Sequence, residues 1–292
     1  MVRTLSGVLL AFGALAGWAQ ERPLGHLILI GGGERPATAM HKFVELAGGP
    51  QALILLLPTA SEDPDYISSL HKSFSKEYGC QQVKLLNVKT PADALRKDYV
   101  ALVERAGGIF FSGGDQTRIL RALKDSPLLA AIRQAYHRGA VLGGTSAGTA
   151  CMSPLMITGE GNFDVIRPGA VELWPGLGFF TGVIVDQHFV ARRRFNRLVT
   201  VVLEHPELLG VGIDEDTAVW VKPDGTFQVL GDGCVLVLDA HGRKPRRVPA
   251  PAGGSLFSAD HLTLHVLAAG DRFDLERRQL VEPSEVEVET NP

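Results

Sequence analysis

Short apolar runs that end on glycine or polar residues, spaced by helix-patterned stretches, constrain this chain more than any other feature. His26–Ile30 runs into Gly31, Gly32 and Gly33; Ala52–Leu57 stops at Pro58; Gly108–Phe111 stops at Ser112-Gly113-Gly114; Ala140–Gly143 leads into Gly144-Thr145-Ser146. Gln82–Leu86 is a further strand. The intervening segments 38–47, 66–78, 91–104, 117–123 and 127–138 carry helical patterning. Strands alternating with helices of this length predict an α/β fold with a mostly parallel sheet and helices on both faces.

Beyond residue 180 the pattern changes to strands at 182–185, 211–213, 218–222, 227–230 and 234–238, with one helix over 194–204. Hairpin turns are expected at Pro223-Asp224-Gly225 and Gly231-Asp232-Gly233. These strands are expected to extend the same sheet, giving one α/β domain over residues 20–270 and a C-terminal tail over 271–292. In parallel α/β sheets ligands sit beyond the carboxyl ends of the strands. The junctions at Gly31–Gly33, Gly113–Gln116 and Gly143–Gly148 should therefore face one crevice.

Residues 1–19 differ from the rest. A positive start at Arg3, an apolar run from Leu5 to Trp18 and small residues around Ala19 read as a cleaved secretory signal. The apolar run is short of the roughly 20 residues that span a bilayer. The expected mature protein is exported, periplasmic or extracellular, with no membrane attachment. The whole chain has 29 basic and 32 acidic residues and a formal charge of −3, without the basic excess of a nucleic-acid binder. Cys80, Cys151 and Cys234 do not sit at metal-site spacing and are expected to be free thiols, with one disulfide as the alternative. Gly31–Gly33 lacks the spacing of a dinucleotide loop. Asp214, Glu215 and Asp216 are consecutive and cannot all turn to one ion, so structural or substrate-facing roles are expected; no metal or cofactor is required.

The segment Gly144-Thr145-Ser146-Ala147-Gly148 matches G-x-S-x-G between a strand and a helix. This is the pattern of a nucleophile elbow, a sharp turn that exposes a serine hydroxyl. The alternative is an ordinary helix start capped by Ser146. The Ala147 N–H would face a developing oxyanion. A serine needs a base, and His188 ends the strand pattern Val183–Gln187 at the rim where Ser146 is expected. It is followed by Arg192, Arg193, Arg194 and Arg197, cations suited to planar carboxylates.

Together, Phe111–Gln116, Gly144–Gly148, Gly176–Phe179, Asp186–Phe189 and Gly212–Thr217 resemble the cyanophycinases, serine peptidases related to aspartyl dipeptidases. The blocks run in the same order over residues 25–240, and Asp186–Leu198 is the most specific. The resemblance implies a layout similar to class I glutamine amidotransferases, with Ser146 as nucleophile and His188 as general base. It further implies an oxyanion hole from Gly114 and Ala147, and a substrate pocket from Gln116, Asp186, Gln187, Arg192, Arg194 and Arg197. An acid between serine and histidine would orient the imidazole; Asp164 is the expected residue and Glu160 its rival. The implied substrate is cyanophycin, a poly-aspartate with arginine on each β-carboxyl, cut through an acyl-enzyme to β-Asp-Arg dipeptides. The alternatives are an aspartyl or isoaspartyl dipeptidase and a catalytically silent binding module. Pairing into a homodimer is allowed for, and a nucleic-acid partner is not expected.

Overall fold

A computed structural model describes residues 23–282; the expected signal segment lies outside them. In chain order the first strands are β1 (Leu27–Ile30), β2 (Leu53–Leu57), β3 (Gln82–Leu85), β4 (Gly108–Phe111) and β5 (Val141–Thr145). They form a parallel set in the order β1-β5-β4-β2-β3. The helices between them are α1 (Ala37–Leu46), α2 (Pro64–Lys72), α3 (Lys97–Val103), α4 (Gln116–Leu123) and α5 (Pro127–Arg138). The continuous apolar character of β1 follows from burial on both faces. Leu27 and Leu29 join one core, while Ile28 and Ile30 join the core beneath α1 on the other face.

Local chemistry fixes the helix ends. Ser126 caps α5 through its side chain, Pro127 opens it, and Gly139 closes it in the left-handed conformation. Asp63 caps α2 and Asp115 caps α4 in the same way. After β5 comes a single short turn of helix, α6 (Ala147–Ala150), then a hairpin of β6 (Leu155–Gly161) and β7 (Val171–Pro175).

The remaining strands are β8 (Val183–Gln187), β9 (Leu209–Ile213), β10 (Thr217–Val221), β11 (Thr226–Gly231), β12 (Val235–Asp239), β13 (Arg246–Pro249), β14 (Ser255–Ser258), β15 (Thr263–Leu267), β16 (Arg272–Asp274) and β17 (Gln279–Leu280), with α7 (Phe195–Glu204) after β8. β10, β11, β16 and β17 extend the large sheet from the β1 edge to nine strands, all antiparallel. β8, β9, β12 and β15 instead form a separate four-stranded sheet. This corrects two expectations. The strands after residue 180 divide among three sheets: Asp214–Asp216 turns the chain out of β9 and into β10, and β13 and β14 pair only with each other. Residues 271–280 are not a tail, since β16 and β17 pair onto the β11 edge and bury Phe273 against Phe227. The acidic stretch from 283 onward lies outside the described residues.

Candidate active site

The two sheets meet at their strand ends. The His188 N–H donates to the Gly31 carbonyl at 2.8 Å, and the Asp216 N–H donates to the Gly32 carbonyl at 3.0 Å. The carboxyl ends of β1, β4 and β5 in one sheet thus face those of β8 and β9 in the other. A cavity of about 300 Å³ is lined by Gly32, Gly113, Gly114, Ser146 and His188, so the three glycine-bearing junctions do share one crevice.

Ser146 sits at φ 50° and ψ −109°, a left-handed conformation that non-glycine residues rarely adopt. The strain marks a sharp turn from strand to helix, the geometry expected of a nucleophile elbow. A close approach makes the turn feasible: a Cβ on Gly148 would lie 2.3 Å from the Phe111 carbonyl oxygen of β4. The Ser146 hydroxyl meets His188 Nε2 at 2.8 Å.

On the far side of the imidazole, Nδ1 lies 2.5 Å from Glu215 Oε1. A carboxylate can only accept, so Nδ1 carries the proton and donates to Glu215. Nε2 is left as the acceptor for the serine hydroxyl. Burial is the main influence holding the His188 pKa below its usual value of 6.5, with Arg192 and Arg194 adding to it against the opposing bond to Glu215. The ring is fixed from its open face by Gly32, where a Cβ would stand 2.1 Å from His188 Cε1. Glycine at position 32 is required by this approach.

Glu215 therefore occupies the place expected of Asp164. Asp164 lies exposed in the loop between β6 and β7, its N–H donating to Asn162 Oδ1 at 3.1 Å. Glu160 lines a neighbouring cavity and is not the partner of His188. The expectation fails because the orienting acid comes after the histidine in the chain. β8 and β9 are parallel neighbours, with Gln187 beside Ile213, so residues just past their ends are adjacent. The three consecutive acids divide the work. Asp214 Oδ1 accepts from the Val190 and Ala191 N–H groups, Glu215 takes His188, and Asp216 Oδ1 accepts from the Glu34 N–H at 2.6 Å.

A second cavity of about 380 Å³ begins at Ser146 and Gly114 and is walled by Gln116, Gln187, Arg121, Arg192, Arg194 and Arg197, with Asp115, Glu160 and Glu172 also present. Gln116 Nε2 donates to the Ile157 and Thr158 carbonyls, both at 2.8 Å, which ties β6 to the start of α4. Arg194 donates to the Gln187 carbonyl at 2.7 Å. Burial, then the neighbouring Arg197, lowers its pKa to about 10, which leaves it charged at neutral pH. Arg192 is more open, with 54% of its side chain exposed and its Nε 3.8 Å from Glu215.

Asp186 departs from its expected role as a pocket residue. It is 1% exposed, and both carboxylate oxygens accept from Arg197, which is itself 2% exposed. Its charge is consumed in holding Arg197 upright in the cavity wall, so it does not face a ligand. Ala147 opens α6, where the first N–H groups of a helix lack intrahelical partners. Gly114 lines both cavities, in a left-handed conformation at φ 133°. The three cysteines are free; Cys151 is fully buried and its thiol pKa is pushed well up by that burial.

Comparisons with known proteins bear on this geometry. A family model described as Peptidase family S51 matches residues 27–229. The chain is 37% identical over 260 residues to a cyanophycinase from Synechococcus elongatus, covering 88% of this chain and 81% of that protein. It is 37% identical over 257 residues to a cyanophycinase from Geminocystis herdmanii, covering 87% and 94%. Among solved structures, a peptidase from an acI-B1 actinobacterium superposes with a TM-score of 0.66 at 26% identity, covering 87% of this chain and 98% of that one.

Proposed function

This chain belongs to peptidase family S51 and is a serine-type peptidase, and from that premise we propose that it hydrolyses cyanophycin to β-Asp-Arg dipeptides. Ser146 Oγ attacks the carbonyl carbon of a main-chain peptide bond while His188 Nε2 takes the hydroxyl proton. Glu215 stabilises the imidazolium that forms, and the N–H groups of Gly114 and Ala147 take the oxyanion. His188 then returns the proton to the leaving nitrogen as the C–N bond breaks, and water releases the acyl group by the same route in reverse.

The observation that carries the substrate assignment is the arginine-walled cavity that starts at the serine. Each cyanophycin unit presents carboxylate and guanidinium together. Arg192 and Arg194 match the first, and Glu160 and Glu172 supply acids for the second. The cyanophycinase relatives at 37% identity support the same reading. We further propose that residues 1–19 direct export, so that the polymer is digested outside the cytoplasm.

Incubating the purified protein with insoluble cyanophycin is expected to release soluble β-Asp-Arg, identified by mass spectrometry. Pretreatment with a fluorophosphonate should stop the release and add the phosphonyl mass to the peptide containing Ser146. Cleavage of soluble Asp-X dipeptides with the polymer left intact would replace this reading with a dipeptidase.

The base also sets a pH dependence. Because burial holds the His188 pKa below its usual value and the ring must be neutral to accept the serine proton, kcat/KM should rise with pH along an acid limb centred below that of an ordinary imidazole and level off above it. A limb centred above 7 would contradict the buried, Arg-flanked imidazole described here.

A further inference from the structure

We infer that the smaller cavity receives the leaving unit of the substrate and that Arg35 is its carboxylate-binding specificity residue. This rests on the hydrolytic reading above and adds to it an assignment of sides. The base that deprotonates the serine must also hand its proton to the leaving nitrogen, so that nitrogen has to lie within hydrogen-bond reach of His188 Nε2. His188 lines the cavity of about 300 Å³ and is absent from the walls of the larger, arginine-rich one, while Ser146 lines both. The acyl unit therefore occupies the larger cavity and the leaving unit the smaller.

The smaller cavity holds one guanidinium, that of Arg35. Its Nε is buried and makes no hydrogen bond among the described residues. Buried polar atoms in folded proteins nearly always have a partner, so no internal acceptor locks this guanidinium at its Nε, and Arg35 is the cation that lines the cavity beside Ser146 and His188. Neighbouring polar groups are held by local bonds. Asp63 Oδ1 caps α2 by accepting from the Asp65 and Tyr66 N–H groups, and Ser61 Oγ accepts from the Asp63 N–H. The Tyr66 hydroxyl accepts from the Gly113 N–H at 3.1 Å and keeps its own proton to donate. A planar fork and a phenol donor that line one cavity are complementary to a carboxylate. A cyanophycin unit leaving as an amine offers two: its main-chain terminus and the carboxylate of its arginine.

The test uses a synthetic peptide of two β-Asp-Arg units in four forms: both carboxylates of the leaving unit free, either one amidated, or both amidated. For the wild-type protein, kcat/KM is expected to fall about 10–100-fold on amidating the carboxylate that Arg35 holds, the usual scale for a charge-assisted hydrogen bond. Arg35→Gln should lose a similar factor on the free acid and become indifferent to that amidation, and Arg35→Lys should keep part of the preference. Wild-type indifference to both amidations overturns the assignment whatever the variants do, as does full sensitivity retained by Arg35→Gln. If Arg35→Gln fails to fold, the wild-type series together with Arg35→Lys decides. Fluorophosphonate labelling of Ser146 separates the two levels. A labelled, active enzyme without carboxylate preference sinks only this inference, whereas an unlabelled enzyme inert on all four peptides sinks the hydrolytic reading and this one with it.

Discussion

Replacing Glu215 with glutamine is expected to lower kcat about 10³–10⁴-fold, while Asp164→Asn stays within about twofold of wild type. The loss corresponds to about 4–5.5 kcal/mol of transition-state stabilisation and has two sources. A neutral amide does not stabilise the imidazolium that forms as His188 takes the serine proton. The amide can also turn its NH₂ toward Nδ1, which drives the ring proton onto Nε2 and removes the acceptor that Ser146 requires. Asp164 is exposed, its backbone N–H donates to Asn162, and the imidazole's Nδ1 is taken by Glu215. Steady-state kinetics on the two-unit peptide measures both variants. Near-wild-type turnover by Glu215→Gln, or a thousandfold loss in Asp164→Asn, would return the orienting role to the β6–β7 loop.

The second large effect is on stability. Asp186→Asn should destabilise the fold by about 3–5 kcal/mol, because it strips the countercharge from a guanidinium that is 2% exposed. Against a total stability of about 5–15 kcal/mol for a domain, that is enough to bring the unfolding midpoint well down in a urea titration. Replacing both partners with apolar residues, Asp186→Leu with Arg197→Met, should recover most of the loss, since neither charge then remains buried alone. Arg192→Ala, at an exposed position, should leave the midpoint within about 0.5 kcal/mol. An Asp186→Asn protein as stable as wild type would mean that water reaches Arg197 in solution.

These two residues also mark where the amino-acid sequence is legible and where it is not. Strand–helix alternation, the elbow at Ser146 and the placing of His188 at a strand end are local patterns, and local patterns survive in one dimension. The pairing of β8 with β9 is not local. Glu215 is 27 positions from His188, and only the parallel register of two strand ends makes them neighbours. Its position beside Asp214 and Asp216 makes the three look like one cluster, when Asp214 and Glu215 serve the segment past β8 and Asp216 reaches Glu34 past β1. Asp186 misleads for the opposite reason. It lies next to true cavity residues in sequence, but strand alternation turns it inward to Arg197. The β6–β7 hairpin, which supplies Glu160 and Glu172 to the cavity, carries Gly159 and Gly161 and no clean alternation to announce it. The division into separate sheets depends on which strands pair, and apolar content alone does not encode that.

The left-handed backbone at residue 146 also limits how this site can change over time. A side chain branched at Cβ is sterically excluded where φ is 50°, so threonine cannot substitute as a nucleophile even though it offers the same hydroxyl. His188 stands at φ 49°, which closes the neighbouring position to branched residues as well. For the acyl-enzyme route proposed above, cysteine is then the exchange that supplies a nucleophile without branching at Cβ, whereas the threonine codons one base away from those of serine lead to a side chain that strains the turn.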